Sequence, residues 1–166
     1  MNATQFPAGL TVGFINSGLT LPSTSVYSTA TAPAGIINGK FVTSIGVDTT
    51  QATPTTDAAT GAAFVAVAPN KATVLVFGQN KAGAIKMAQG SIVDTYPGVT
   101  TTVGAFKDVP NFPSLPKDFM CLAYVLVRTA PSAASWVPGT GEWAASGVTT
   151  GTVVDIGALP DFPQVA

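Results

Sequence analysis

The sequence predicts an all-β fold, either an antiparallel β-sandwich or a barrel-like domain, with an irregular N-terminal arm. Residues that favour helices are scarce, and the whole chain of 166 residues contains a single Glu. Seventeen Gly and thirteen Pro interrupt almost every stretch long enough for a three-turn helix. Short apolar runs recur between turn residues, which is the pattern of a sandwich or a barrel.

The candidate strands divide the chain into an arm and a domain. Residues 1–34 carry one short strand and are otherwise rich in Thr, Ser, Ala and Pro, so we expect an irregular arm that is mobile or lies along another subunit. Residues 35–166 are predicted to form a single β domain, interrupted by a low-complexity loop at 48–61. In chain order, the candidate strands lie near 10–16, 35–38, 40–46, 62–68, 72–78, 83–89, 101–106, 119–128, 134–137, 142–146 and 148–156.

The dipeptide Asn38-Gly39 predicts a tight hairpin. Asn-Gly supplies the two positive-φ residues that a type I′ turn requires. With these two residues as the loop, Ile37 lies opposite Lys40 and Ile36 lies opposite Phe41. The sequence therefore predicts that Ile36 and Phe41 share one buried face of the hairpin.

The next section predicts a meander of three neighbouring antiparallel strands, with cores at 64–67, 73–77 and 84–88. The strand at 73–77 is apolar on both faces, whereas Ile85 and Met87 alternate with a Lys as in a half-exposed strand. We therefore expect the strand at 73–77 to be the central one.

The run 122–127 is apolar at both parities of a strand. Strict alternation places Leu122, Tyr124 and Leu126 on one face, and the other face carries Cys121, Ala123, Val125 and Val127. Both faces then need cover. A second sheet can cover one face, and either loops or a partner subunit can cover the other.

Two tryptophans and a tyrosine are the candidate contact residues. The segment 136–143 resembles a hairpin in which Trp136 lies directly opposite Trp143. Together with Tyr96, the two indoles could form a platform on which a sugar ring or another partner stacks. The alternative is that both Trp residues pack the hairpin onto the sheet or fill a seam between subunits.

Composition removes the commonest catalytic and metal-binding chemistry. The chain has no His, which is the usual general base and a common zinc ligand, and its single Cys121 lies in an apolar run where a thiol acts as a buried, inert hydrophobe. No motif for acyl transfer or thiol redox chemistry is present. We therefore predict no catalytic, cofactor-binding or metal-binding residues and no enzymatic activity.

Carboxylates are the remaining candidates for catalysis, because a glycosidase needs only two of them. Most stand beside Pro, Gly or Thr, where Asp usually shapes turns, so we expect structural roles. The single arginine, Arg128, is expected to pair with Asp118 or Asp155, or to be exposed at a strand end. The acidic residues are Asp48, Asp57, Asp94, Asp108, Asp118, Glu142, Asp155 and Asp161.

Charge limits the partners of the chain. Charged residues make up 9% of the sequence and the net charge is −1, whereas an average soluble protein is about 25% charged. We therefore expect no binding to nucleic acid, and no run approaches the roughly 18 apolar residues of a membrane helix.

Residues 1–7 lack the basic start of a secretory signal, so we expect synthesis in a cytoplasm. Because the chain has few charged residues, its surfaces and strand edges also have little charge to oppose association with other chains.

The order of several segments resembles that of small β-rich virion proteins of tailed bacteriophages, of the capsid decoration (cement) or head-fibre type. The resemblance covers roughly residues 35–162. The segments that carry it are the Ile-Ile-Asn-Gly-Lys-Phe hairpin, Thr73–Phe77, Ile85–Gly90, Phe112–Pro116, Leu122–Val127 and Thr152–Asp161.

The resemblance implies a non-enzymatic protein of the virion, made in the host cytoplasm and placed on the capsid surface. Its partners would be the major capsid protein and further copies of itself, as a homotrimer, with residues 1–34 as a candidate contact arm and no cofactor. The alternative is a tail-fibre, spike or carbohydrate-binding adsorption module that uses Trp136 and Trp143.

Overall fold

A computed structural model describes residues 9–43 and 46–165. These residues contain no helix, and their antiparallel sheets do not close into a barrel, so the predicted all-β class is confirmed. In chain order, the strands are β1 (Val12–Gly13), β2 (Val26–Tyr27), β3 (Ala34–Ile37), β4 (Lys40–Thr43), β5 (Gln51–Ala52), β6 (Lys71–Asn80), β7 (Ile85–Asp94), β8 (Phe119–Thr129), β9 (Val148–Thr150) and β10 (Val154–Asp155).

The main sheet has the order β10-β8-β6-β7, and β9 also pairs with β8. The prediction that the strand at 73–77 is central is confirmed, because β6 lies between β7 and β8. The predicted meander is wrong in its first strand. Residues 62–68 form isolated bridges only, and the longer, doubly apolar β8 takes the place beside β6 because both its faces require burial.

A bulge in β8 changes which of its side chains share a face. Phe77 pairs with Ala123 while Gly78 pairs with Cys121, so Leu122 is the extra residue. Leu122 and Ala123 consequently join the same core cluster, whereas Cys121 lies with Tyr124 in the other. The prediction from strict alternation is therefore wrong at Cys121 and Leu122, since one inserted residue inverts the pattern.

Both faces of the main sheet are covered by the same chain. One face packs against side chains that include Leu19, Tyr27, Ile37 and both Trp residues. The other face packs against loop residues that include Phe106, Phe112, Leu115, Ile156 and Leu159. Of the two kinds of cover that the sequence left open, loops of the chain itself supply the second.

The described part of the first 34 residues packs onto its own domain. Leu19 and Tyr27 are buried in the core, and the Nε1 of Trp143 donates a hydrogen bond to the Val26 carbonyl at 3.0 Å. β2 also pairs with β5, which lies in the segment predicted as a loop. Apolar anchors and backbone pairing of β1 and β2 thus order a segment that its composition predicts to be irregular. Residues 1–8 of the predicted arm lie outside the described residues.

Three further candidate strands, at 101–106, 134–137 and 142–146, contain only bridges and turns. The candidate at 148–156 divides into β9 and β10, which both pair with β8, and the backbone N–H of Gly151 between them also bonds to β8, at the Leu126 carbonyl. The candidate at 40–46 corresponds to β4, and its residues 44 and 45 lie outside the described residues.

The predicted hairpin is confirmed in its turn and register. Asn38 and Gly39 have φ values of 51° and 74°, and Ile36 pairs with Phe41. The expected burial is confirmed for Ile36 and wrong for Phe41, which is 63% exposed. The reason is that β4 is the edge of its sheet, so within residues 9–43 and 46–165 it has no neighbouring strand on one side.

Candidate functional site

The three-stranded sheet β1-β3-β4 packs one of its faces on the main sheet. Ile37 and Val42 on this inner face belong to the core cluster that includes Met120. Gly35 lies so close to Met120 that a Cβ at this position would overlap the sulfur atom of that side chain. The absence of a side chain at Gly35 thus allows the small sheet to approach β8.

The opposite face of this sheet points away from the main sheet and is apolar. Val12 pairs with Ile36, which pairs in turn with Phe41, so these three residues share one row. Phe14 stands two residues after Val12 and extends the same face, and its N–H bonds to the Ala34 carbonyl at 2.9 Å. We call Val12, Phe14, Ile36 and Phe41 the outer face. Phe41 is 63% exposed and Phe14 is 54% exposed.

The outer face adjoins an open strand edge. Within the described residues, β4 pairs only with β3. A cavity of about 390 Å³ opens at this edge, between the hairpin and the turn after β6. It is lined by Ile37, Asn38, Lys40, Phe41, Val42 and Lys81.

The β7 edge of the main sheet, by contrast, is covered by loops. Asp57 forms a parallel bridge with Met87 on β7, and its carboxylate Oδ1 accepts the backbone N–H of Gln89 at 3.3 Å. The Gln89 amide bonds to both the N–H and the carbonyl of Val65, each at 2.9 Å. Further along, Ser91 donates its N–H to the Asn111 carbonyl. Loops thus protect β7 from pairing with another chain, and no strand of the described residues covers β4 in a comparable way.

The tryptophans predicted as a stacking platform are core residues. Trp136 and Trp143 are 3% and 2% exposed, with ring centroids 5.3 Å apart. Their indole N–H groups donate to the carbonyls of Glu142 and Val26. A sugar stacks on an exposed ring face. The two indoles are buried, so the predicted stacking platform is not present at these residues. The hairpin is also wrong, because Trp136 bridges Val67 and the turns after it contain no paired strand.

Tyr96 is not brought together with the two indoles. It is 58% exposed, and the Lys107 Nζ lies 5.6 Å from its ring centroid. The four aromatic pairs among the described residues do not include Tyr96; they are Tyr27–Phe77, Phe77–Trp143, Phe112–Tyr124 and Trp136–Trp143. Of the three predicted contact residues, Tyr96 alone presents a ring to solvent.

The carboxylates are dispersed over the domain. Asp57 anchors a turn, Asp155 accepts the Ser17 hydroxyl at 2.9 Å, and Asp94 pairs with Lys71 across β6 and β7. Hydrogen bonding and attraction to Lys71 lower the pKa of Asp94. Among the described residues, no three His, Cys, Asp or Glu side chains cluster in a way that could hold a metal ion.

Arg128 and Cys121 can also be located. The Arg128 Nη1 donates to the Gly104 carbonyl at 3.1 Å, and its guanidinium lies 4.9 Å from the Phe106 ring centroid. Its predicted pairing with Asp118 or Asp155 is wrong, since no carboxylate of the described residues forms an ion pair with it.

The buried thiol of Cys121 has its pKa raised to about 11 by desolvation.

Comparison with known proteins adds no relative: no family model, no curated protein and no solved structure matches the chain. No helix in the described part of the chain is long and apolar enough to cross a membrane. The fold and the site define an all-β protein with a two-sided central sheet and an apolar outer face, on which two Phe side chains are exposed beside a strand edge that has no partner among the described residues. Sequence patterning missed this site, because it predicts which residues share a face but not which face is covered.

Proposed function

We propose that the protein is a non-enzymatic structural protein of a bacteriophage virion, a capsid decoration (cement) protein that binds the outside of the head and stabilises it. The observation that carries this proposal is the outer face, on which Phe14 and Phe41 stand exposed beside the edge of β4 that has no strand partner in the described part of the chain. The resemblance in segment order to small virion proteins of tailed phages supports the same function.

The outer face suits binding to a protein shell for a physical reason. Burying a Phe side chain is worth roughly 1.5–3 kcal/mol, so two of them can drive association without charged contacts. An unpaired strand edge can add main-chain hydrogen bonds to a partner strand. Many copies with modest contacts can together hold a shell against internal pressure.

The proposed partners are the major capsid protein and further copies of this chain, assembled as a homotrimer on the capsid surface after synthesis in the host cytoplasm. A net charge of −1 provides no attraction to a phosphate backbone, so nucleic acid is not a proposed partner. A membrane is not proposed as a partner either. No cofactor is part of the proposal.

Addition to capsids tests the proposal directly. The purified protein should bind pre-expanded empty shells of the phage that encodes it, with saturation at a fixed number of copies, and should raise their thermal stability. Phe41→Ser should weaken binding at least about tenfold, as expected for losing a buried Phe. Val99→Ser is the matched control, because Val99 is 76% exposed but lies in a turn outside the outer face.

Two results would overturn the proposal. One is the absence of saturable binding to the shells, and the other is an equal loss of binding in the Phe41→Ser and Val99→Ser variants. The alternative function, a carbohydrate-binding adsorption module, now depends on Tyr96, the one exposed ring of its predicted contact set. Glycan binding that disappears in Tyr96→Ser, together with no binding to shells, would favour that alternative.

A further inference from the structure

A cleft of about 280 Å³ opens on the main-sheet face opposite the three-stranded sheet. Tyr124, Leu126 and Arg128 form its floor as alternate residues of β8. Phe106 forms one wall, and Gly151 and Thr152, together with Val154 at the start of β10, form another. Apolar side chains thus dominate a concave site that contains a single cationic group.

The guanidinium of Arg128 has unused hydrogen-bonding capacity in this cleft. Of its five N–H donors, one is used within the described residues, from Nη1 to the Gly104 carbonyl. The guanidinium carbon lies 4.9 Å from the Phe106 ring centroid, within the range of a cation–π contact, and the residue is half-buried. No carboxylate of the described residues neutralises its charge. A half-buried, preorganised and unpaired guanidinium is complementary to a planar carboxylate.

A second donor lies along the same floor. The Tyr124 hydroxyl oxygen accepts the backbone N–H of Gln164 at 3.0 Å, and its own hydrogen has no acceptor among the described residues. Tyr124 and Arg128 stand on either side of Leu126 on β8. The polar groups of the floor are therefore hydrogen-bond donors separated by an apolar surface.

We propose that this cleft binds a small apolar carboxylate, with its carboxyl group on Arg128 and its hydrocarbon part on Leu126 and Phe106. A cavity of roughly 150 Å³ can hold benzene, so about 280 Å³ accommodates one aromatic ring with a short acid chain. This site is independent of the proposed capsid function, because it lies on the other face of the main sheet from Phe41.

Titration of the labelled protein with phenylacetate, followed by backbone amide NMR, tests this site. Shifts should concentrate at Leu126, Arg128 and Thr152. The neutral analogue phenylacetamide should bind at least about tenfold more weakly, because it lacks the charge-assisted hydrogen bonds. Arg128→Met should weaken phenylacetate binding by a similar factor, and Arg128→Lys should fall between the two, since Lys keeps the charge but loses the planar fork.

A second variant separates cleft occupancy from any effect of Arg128 on folding. Thr152 is an exposed residue of the cleft wall, so Thr152→Trp should fill the cleft and abolish binding while Arg128 stays in place. Gln51→Trp is the control, on an exposed strand that does not line the cleft. Shifts scattered over the surface, equal binding of phenylacetamide, or undiminished binding in Thr152→Trp would each overturn the proposal.

Discussion

Ile36 and Phe41 lie directly opposite each other across the β3–β4 hairpin, yet Ile36 is completely buried and Phe41 is 63% exposed. Two side chains on one face of a hairpin thus have different environments. Ile36 lies on a strand with neighbours on both sides, whereas Phe41 lies on the edge. The difference separates a residue that stabilises the fold from one that is available to a partner.

Substitution at these two positions should affect different properties. Ile36→Ala should lower the free energy of unfolding by about 2–5 kcal/mol, because it leaves a cavity in a closed site. Phe41→Ser should change stability by less than about 0.5 kcal/mol, as for other exposed positions. Chemical denaturation of both variants provides the measurement. A loss above about 2 kcal/mol in Phe41→Ser would show that Phe41 supports the fold and would remove it from the candidate binding face.

Gln79→Met should stabilise the protein. Gln79 is completely buried between β7 and β8, and neither its amide oxygen nor its amide nitrogen has a hydrogen-bond partner in the described residues. A buried unpaired amide costs about 1–3 kcal/mol, and Met has a similar volume without that cost. We expect a gain of about 1–2 kcal/mol in thermal or denaturant unfolding.

The control for Gln79 is a second glutamine on the same sheet. The Gln89 amide makes two hydrogen bonds to the Val65 backbone, so Gln89→Met should lower stability. If Gln79→Met and Gln89→Met destabilised the protein equally, the Gln79 amide would have to be satisfied by a buried water molecule.

Asp57→Ala should loosen the loop that covers β7. The Asp57 carboxylate accepts hydrogen bonds from the Ala59 N–H and the Thr60 hydroxyl, each at 3.0 Å, and from the Gln89 N–H at 3.3 Å. Removing this buried acceptor should cost about 1–3 kcal/mol. Faster amide hydrogen exchange at Ala59 and Gln89 would report the change locally. The exposed Asp108→Ala is the control, and equal exchange rates in the two variants would contradict the prediction.

Stability should fall at alkaline pH because of Cys121. Burial raises the pKa of this thiol from 9.0 to about 11 in the folded protein. Between these values the unfolded chain loses a proton that the folded chain keeps, so the free energy of unfolding should fall by about 1.4 kcal/mol per pH unit. Below pH 9 the thiol is protonated in both the folded and the unfolded chain, so its contribution to the free energy of unfolding no longer changes with pH.

Cys121→Ala isolates the contribution of the thiol. Burial and Asp48 also raise the pKa of Tyr27, so part of the decline above pH 10 will remain in the variant. The difference in free energy of unfolding between wild type and Cys121→Ala, measured by denaturation from pH 8 to pH 11, should change with pH by the amount expected for Cys121. Parallel stability curves for the two proteins would show that the thiol titrates normally.

Local patterns in the sequence determined the class of fold and its clearest turn. Gly and Pro exclude helices, Asn38-Gly39 sets the hairpin register, and a doubly apolar run at 73–77 marks the central strand. These features depend on backbone preferences and on hydrophobic periodicity, which act over a few neighbouring residues. They can therefore be predicted without knowing what lies nearby in space.

Only the tertiary structure decided which apolar residues are covered. Trp136 and Trp143, which the sequence made candidate contact residues, are core residues, whereas Phe14 and Phe41 are exposed. The bulge at Leu122 and the pairing of β6 with β8 arise between segments that are distant in the sequence, the nearest paired residues being Asn80 and Phe119. Arg128 likewise stacks on Phe106 instead of pairing with an acid. The physical reason is that burial depends on contacts between distant segments, and periodicity shows that side chains share a face without showing what packs against it.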